Sequence, residues 1–475
     1  MPAADLVLKN ANVITMGPRY PAAELVAIRD NRILLVASNE ELEQVKGAKT
    51  WVIDCQGKTV VPGFNDAHCH IFSFIRKLRS LDLSPSSVSS IADIKAAIHR
   101  RAQSIPLGNW LTGTDYNEFY LAEKRHPNRW DIDEAAPQHP VVLAHRSLHA
   151  CVLNSLALSL AGITRETPEP PGGLIDRDLN TGEPSGLLFE MLGYIREKVL
   201  PPLSEEELTD GIALANRHYL SMGITSLQEA TATNDFSRWQ TLQRFKDSGK
   251  LKSRVSMLFG IEALSRFQEA GLALGSGDSQ LRLGGVKLIL GETTGQLQPT
   301  QLELNQQALT THQAGFQLAI HCIERSTVEA AIAALEYISG QLPLAERRHR
   351  LEHCSECPSE LLKRLIELKA VVVTQPPFIY YSGERYLATL PASQLGWLYR
   401  IKSFLDGGLI VAGSSDSPVV SDNPLVGIYA AVTRRAESGQ HLLPQERISA
   451  EEALAMYTVN AAYTSFEEGI KGSIT

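Results

Sequence analysis

Several absences narrow the function of this sequence first. No run of about 18 consecutive apolar residues occurs, so no segment is expected to cross a membrane as a helix. The N-terminus, MPAADLVLKN, lacks a basic stretch followed by an apolar one and does not read as a signal peptide. No block of like charge suggests an interaction tail, and a net charge of −8 argues against the basic stripe that nucleic acid requires. Cysteine is scarce. Cys55, Cys69, Cys151, Cys322, Cys354 and Cys357 are too few for a disulfide framework in a chain of 475 residues, and a reducing cytoplasm is the simpler setting. Cys354 and Cys357 form a single C-x-x-C with no second pair, which disfavours a structural zinc knuckle. What remains is an ordinary globular composition, 44% hydrophobic and 21% charged, long enough for a large barrel or two to three domains.

Residues 59–71 organise the chain. A short apolar run ends at Pro62-Gly63, and Asp66, His68 and His70 follow at alternate positions. On an extended strand these three share one face and Cys69 looks the other way. Two imidazoles side by side at a strand end suit a divalent metal, although a lone His-x-His is more often an ordinary strand pair. Residues 5–60 read as short strands, with a hairpin turn at Asp30-Asn31. From 72 to about 204 the pattern changes to an insertion. Ser90 caps a helix with Ile91, Ile94, Ala97 and Ile98 on its apolar face, 110–113 and 140–144 look like buried strands, and the Pro- and Gly-rich 164–186 reads as a long loop.

From Ser204 onward strand and helix alternate. Ser204 and Glu207 make a capping box for a helix that stops near Gly223. Strands are expected at 224–227, 254–259, 286–290, 317–320, 350–351, 370–374 and 409–412, with helices at 301–312, 326–338 and 359–368 between some of them. With 60–64 that makes eight strands, the number a TIM barrel needs, and such barrels place their chemistry at the C-terminal strand ends. Those ends carry His68 and His70, His321, His353 and Asp416, while Lys287 sits in the apolar strand Val-Lys-Leu-Ile-Leu. Each alone has an ordinary explanation as a core histidine, a turn cap or a snorkelling lysine. Their coincidence points to a metal site. Cys69, Cys322 and Cys354, each beside such a residue, should face outward as small buried apolar side chains.

At these residues the sequence resembles the amidohydrolase superfamily of metal-dependent hydrolases, in its amidohydrolase-3 (YtcJ-like) branch. PGFNDAHCH, GITSLQEA, GGVKLIL, AIHCIERSTVEAAIAALE, HRLEHC, VVVTQPPF, VAGSSDSPVVSDNPLVGIYAAVTR and SAEEALAMYTVNAAY follow the branch in order across most of the chain. The resemblance implies a TIM (β/α)8 barrel from 59–71 and 205–465, a small N-terminal β-sandwich-like domain over 1–58 joined by 466–475, and a large insertion, 72–204, after the first barrel strand. It implies two divalent metals, zinc being the best match. His68, His70 and Asp416 would bind one and His321 and His353 the other, bridged by Lys287 as its carbamate. A metal-activated hydroxide would then cleave a non-peptide C–N bond, an N-acyl or N-formyl amide, with Asp416 as the base turned acid. A deaminase or cyclic amidase is the alternative within the superfamily, disfavoured by Lys287. A catalytically silent binding barrel is the alternative outside catalysis.

The partner expected is a small-molecule substrate, with no nucleic acid and no membrane, and barrels of this family often pair as homodimers. Two departures from the branch fall where substrate should bind. Gly291-Glu292 replaces the usual Asp-Gly, and Arg146-Ser147-Leu148-His149 stands before Asn154 where relatives carry Asp-Gly-His. His149 and Arg146 are therefore candidates for substrate contact from the insertion, and Gln375, just after the seventh strand, is another. The chain stops at Gly-Ser-Ile-Thr475, where relatives usually continue with strands that complete the N-terminal β-unit. Either those strands are lacking, which would leave an unpaired edge, or this is a shorter form.

Overall fold

The computed structural model describes residues 2–17, 22–170, 172–292, 296–344 and 347–475. Eight parallel strands form the central sheet: β1 (Phe64–Cys69), β2 (Ile224–Glu229), β3 (Arg254–Gly260), β4 (Leu281–Ile289), β5 (Leu318–Cys322), β6 (Arg350–His353), β7 (Val371–Thr374) and β8 (Val411–Gly413). Each pairs with its neighbours in chain order, as expected of successive right-handed β-α units. Seven strands lie at or beside their expected positions. The first is displaced. Val60 belongs to a short strand of the N-terminal unit, Thr59–Val60, and the barrel strand begins at Phe64 and runs through His68. The lysine strand starts at Leu281, because Gly284 and Gly285 keep the backbone extended where their lack of side chains hid it. A Cβ at Gly285 would lie 2.5 Å from the carbonyl oxygen of Gln317, the residue just before β5.

The seam between β1 and β8 is closed mostly outside the two strands. Toward the C-terminal end, His70 N–H donates to Ser417 O (2.7 Å) and Asp416 N–H to His68 O (2.9 Å). Lower down, Asn65 N–H donates to the Tyr457 carbonyl at 2.8 Å. The ring of Tyr457 is buried against Gly413 of β8 and Gly427 of the helix Pro424–Thr433. Both glycines are required there, since a Cβ at Gly427 would lie 1.9 Å from the Tyr457 hydroxyl oxygen. Asp66 ties the same seam from inside the barrel, accepting from Ser415 Oγ and, at 3.1 Å, from Ser415 N–H.

The insertion follows helix α1 (Ile71–Arg79). It is built on a six-stranded sheet with Val141–His145 and Leu111–Tyr116 near its centre. The Ser90 cap and its apolar face form as read, with Ile91, Ile94 and Ile98 buried. The long loop expected at 164–186 does not hold. Among its described residues Leu174–Arg177 pairs antiparallel with Pro184–Phe189, and Leu188 of that pair is wholly buried. Proline and glycine there mark the ends of short strands rather than a structureless segment. Helix α2 (Glu205–Ser221), with its Ser204–Glu207 capping box, returns the chain to the barrel and stops at Gly223, whose φ of +74° suits glycine. The N-terminal unit is a four-stranded and a three-stranded sheet, with the hairpin at Asp30-Asn31. Ile474 packs against its Ala11, Val13 and Val26, and Ile474 N–H donates to Thr15 O at 2.8 Å. Among the described residues no helix is long and apolar enough to cross a membrane.

Gly427→Ala should therefore cost about 1–3 kcal/mol through overpacking against Tyr457. Gly193→Ala, where a new Cβ meets nothing within 4 Å, should stay within about 0.5 kcal/mol of the parent. Thermal or denaturant unfolding of the two variants checks the contrast.

Candidate metal centre

The C-terminal end of the barrel collects the polar side chains that alternation along the strands predicts. His68 is the penultimate residue of β1 and His70 follows it. His321 is the penultimate residue of β5, His353 ends β6, and Asp416 stands in the turn after β8. His68, His70 and Asp416 offer ligand atoms that all lie within 4.8 Å of one another. Asp416 Oδ1 is 3.0 Å from His70 Nε2 and 3.4 Å from His68 Nε2. The rings of His321 and His353 are 4.4 Å apart, and His353 is 4.9 Å from His68, so both sets of imidazoles face one small volume. Lys287 on β4 completes the group. Ile289 pairs in register with His321, which puts Lys287 one step deeper on the adjacent strand, and its charge is felt by His68, His321 and His353.

Three of the four imidazoles, all but His321, are held from behind. His68 Nδ1 donates to Glu352, a wholly buried carboxylate that also receives Arg350 Nε. Arg350 in turn donates to Gln228 and, at 2.8 Å, to the Ala67 carbonyl. His70 Nδ1 is 2.9 Å from the Thr231 hydroxyl, and His353 Nδ1 donates to Gln375 Oε1 at 2.7 Å. For His68 and His353 the acceptor at Nδ1 leaves the Nε2 lone pair free, the tautomer a metal requires, whereas His70 Nε2 donates to Asp416 Oδ1. Gln375 was a candidate for substrate contact. The structure places it behind His353, wholly buried, with its amide nitrogen donating to Ser414 Oγ at 3.0 Å. His149 does reach the cluster from the insertion. Its ring, about half exposed, is 6.3 Å from that of His321, and Nδ1 is 2.8 Å from a Glu190 oxygen. Arg146 sits one layer out, between the insertion and the helix Pro377–Thr389, donating to Tyr381 O at 3.3 Å.

The electrostatics favour neutral nitrogen ligands. Burial, reinforced by Lys287, pulls His68 down to about 3, and burial pulls His353 down to about 4. Burial also pulls Lys287 down to about 8. At that value about a tenth of it is neutral at pH 7, against a few parts in ten thousand for an ordinary lysine. Burial works to raise Asp416, but the His70 hydrogen bond and the neighbouring histidines hold it well below the usual carboxylate range. Burial lowers His149 while Glu190 more than offsets it, so its pKa ends raised. Two features show that the group is built for something further. Lys287 Nζ and His353 Nε2 are buried with no hydrogen-bond partner among the described residues, which is costly unless a ligand or ion satisfies them. His353 and Asp416 also hold φ of +67° and +60°, a conformation that costs about 1–3 kcal/mol for residues with side chains. Four imidazoles, two of them with Nε2 lone pairs left free by an acceptor at Nδ1, an ionised carboxylate and an unpartnered amine fit a divalent metal.

Glu352, Arg350 and Thr231 were not singled out from sequence. Arg350 and Glu352 carried a usable signal: opposite charges two residues apart on one strand share a face and, when buried, must pair. The three cysteines beside ligand positions are wholly buried, and burial pushes the Cys69 and Cys322 thiols upward, away from any nucleophilic role. Glu352→Gln keeps the shape and removes the charge behind His68. It should weaken metal binding about 10- to 100-fold, read by competition with a chelating dye, while Thr231→Val, which takes away only a neutral contact, should cost less.

Comparison with known proteins agrees with this geometry. Residues 51–475 match the Amidohydrolase family. The chain is similar to an N-substituted formamide deformylase of Arthrobacter pascens, 29% identical over 497 positions that cover 99% of this chain and 91% of that protein. It is also similar to the putative amidohydrolase YtcJ of Bacillus subtilis (strain 168), 28% identical over 97% of this chain and 90% of that one. A crystal structure of an uncharacterized metal-dependent hydrolase from Pyrococcus horikoshii superposes with a TM-score of 0.77 at 23% identity, covering 99% of this chain and 94% of that one.

Proposed function

Since the chain belongs to the amidohydrolase family and is a metal-dependent hydrolase of carbon–nitrogen bonds, we propose that it cleaves a small N-acyl or N-formyl amide at the His68–His70–Asp416 cluster. The observation that carries this reading is the pair of buried, unpartnered nitrogens, Lys287 Nζ and His353 Nε2, beside that cluster. His68, His70 and Asp416 would hold one divalent ion and His321 and His353 a second, with zinc the best chemical match to imidazole and carboxylate. Lys287 would join them after its neutral amine adds to carbon dioxide and loses one proton, leaving a carbamate whose two oxygens share one negative charge.

Bound divalent metal supplies Lewis acidity, which polarises a carbonyl and makes water acidic near neutral pH. The remaining steps belong to the protein. Asp416, held ionised, accepts the proton of the attacking water and delivers it to the nitrogen of the departing amine. His149, hydrogen-bonded to Glu190, which raises its pKa against the effect of burial, faces the substrate from the insertion and steadies its polar end. Arg146 fixes the insertion against Tyr381 so that His149 keeps its place. Gln375 acts through His353 rather than on substrate. The formyl preference draws support from the similarity to the Arthrobacter deformylase. We assign the protein to the reducing cytoplasm on the ground that its six cysteines are all free.

Incubation of metal-replete protein with N-alkyl and N-aryl formamides and the matching acetamides should release formate or acetate. Asp416→Asn should lower kcat about 10²- to 10⁴-fold, the range for loss of a positioned acid–base group. If metal-replete protein hydrolyses no member of such a panel, this reading fails.

A further inference from the structure

A cavity of about 440 Å³ lies between α1 of the barrel and the insertion, away from the residues that collect at the strand ends. Its charge is lopsided for a protein with a net charge of −8. Arg76, Lys77, Arg79, Arg101 and Arg196 line it, against the single carboxylate of Glu207. Two of these cations are balanced. Lys77 pairs with Asp115 at 2.7 Å, and Arg79 holds Glu207 at 2.6 Å. Arg76 and Arg196 have no ion-pair partner among the described residues, and Arg196 finds only a 3.4 Å contact with Ser73 Oγ. Burial, with the charge of Arg76 adding to it, draws Arg196 down to about 10.

Cations at the C-terminal end of α1 have an ordinary explanation, since they complement the helix dipole. That accounts for Arg76, Lys77 and Arg79. It does not account for Arg196, which comes from a separate element, Ile195–Val199, and lines the same cavity as Arg76. Two guanidinium groups that line one partly buried cavity repel one another, and an anion seated there relieves that repulsion. Guanidinium forks match the oxygens of a carboxylate or phosphate two at a time. The other wall is apolar, formed by Trp110, Val142, Leu192 and Leu200.

We propose that this cavity is a second binding site for a small amphipathic oxyanion, its carboxylate or phosphate seated between Arg76 and Arg196 and its apolar body against Trp110 and Leu192. The site is independent of the reaction assigned to the metal cluster and stands or falls without it.

Calorimetric titration of metal-replete protein with phenyl phosphate and with phenylacetate tests the site, and the tighter of the two identifies the headgroup. Arg76→Gln combined with Arg196→Gln should weaken binding at least about tenfold, with metal content unchanged. Without ligand the double variant should unfold at the same temperature as the parent or higher, because a like-charge contact is relieved; a merely structural pair would lower it. Arg196→Lys keeps the charge, loses the fork, and should fall between the two. Absence of binding by the parent at millimolar anion, or equal binding by parent and double variant, would overturn the proposal.

Discussion

Everything at the reactive end of this barrel rests on one buried charge chain, Arg350–Glu352–His68. Neither Arg350 nor Glu352 has any exposed surface. Taking an isolated carboxylate out of water costs several kcal/mol even after relaxation. Glu352 is tolerated because Arg350 and His68 both donate to it, and Arg350 because Gln228 and the Ala67 carbonyl take its remaining protons. Burial would raise Glu352, but Arg350, His68 and Lys287 hold it well below the usual range, so it stays anionic behind the ring. That anion fixes the orientation and the tautomer of His68, and through it the place of every group that His68 faces.

Closure of the barrel and assembly of the cluster are the same event. The bonds that bridge the β1–β8 seam toward its C-terminal end use the backbones of His68, His70, Asp416 and Ser417, and the side chains of the first three converge there. Asp66, beneath them, holds the Ser415–Asp416 turn and is pushed up to about 7 by burial. Strain at His353 and Asp416, with φ of +67° and +60°, is sustained by this tightly bonded frame and aims both side chains inward. Rigid support of that kind is what a metal cluster needs, since ligands must hold their positions before an ion arrives.

The barrel and the residues that gather at its strand ends were legible because they depend on local periodicity. Alternation along a strand places His68, His321 and His353 from a few residues each, and the apolar setting of Lys287 is visible in five letters. Less was legible where partners are distant in the chain. Glu352 meets His68 across 284 residues, and no local pattern announces that pairing. Gln375 follows a strand just as the ligands do, so it read as facing substrate. Only the three-dimensional arrangement shows it turned onto His353. The hairpin of Leu174–Arg177 with Pro184–Phe189 was hidden by the Pro and Gly at its ends, since tertiary pairing overrode local propensity.

The most direct test of the central claim is metal content per chain, measured by mass spectrometry on protein purified without chelator in the presence of bicarbonate. About two divalent ions per chain, with zinc predominant, is the expected result, as a binuclear site bridged by modified Lys287 requires. A single ion would contradict the bridging role of Lys287. No metal, and none taken up when zinc is added, would contradict the whole reading of the His68–His70–Asp416 cluster as a metal centre.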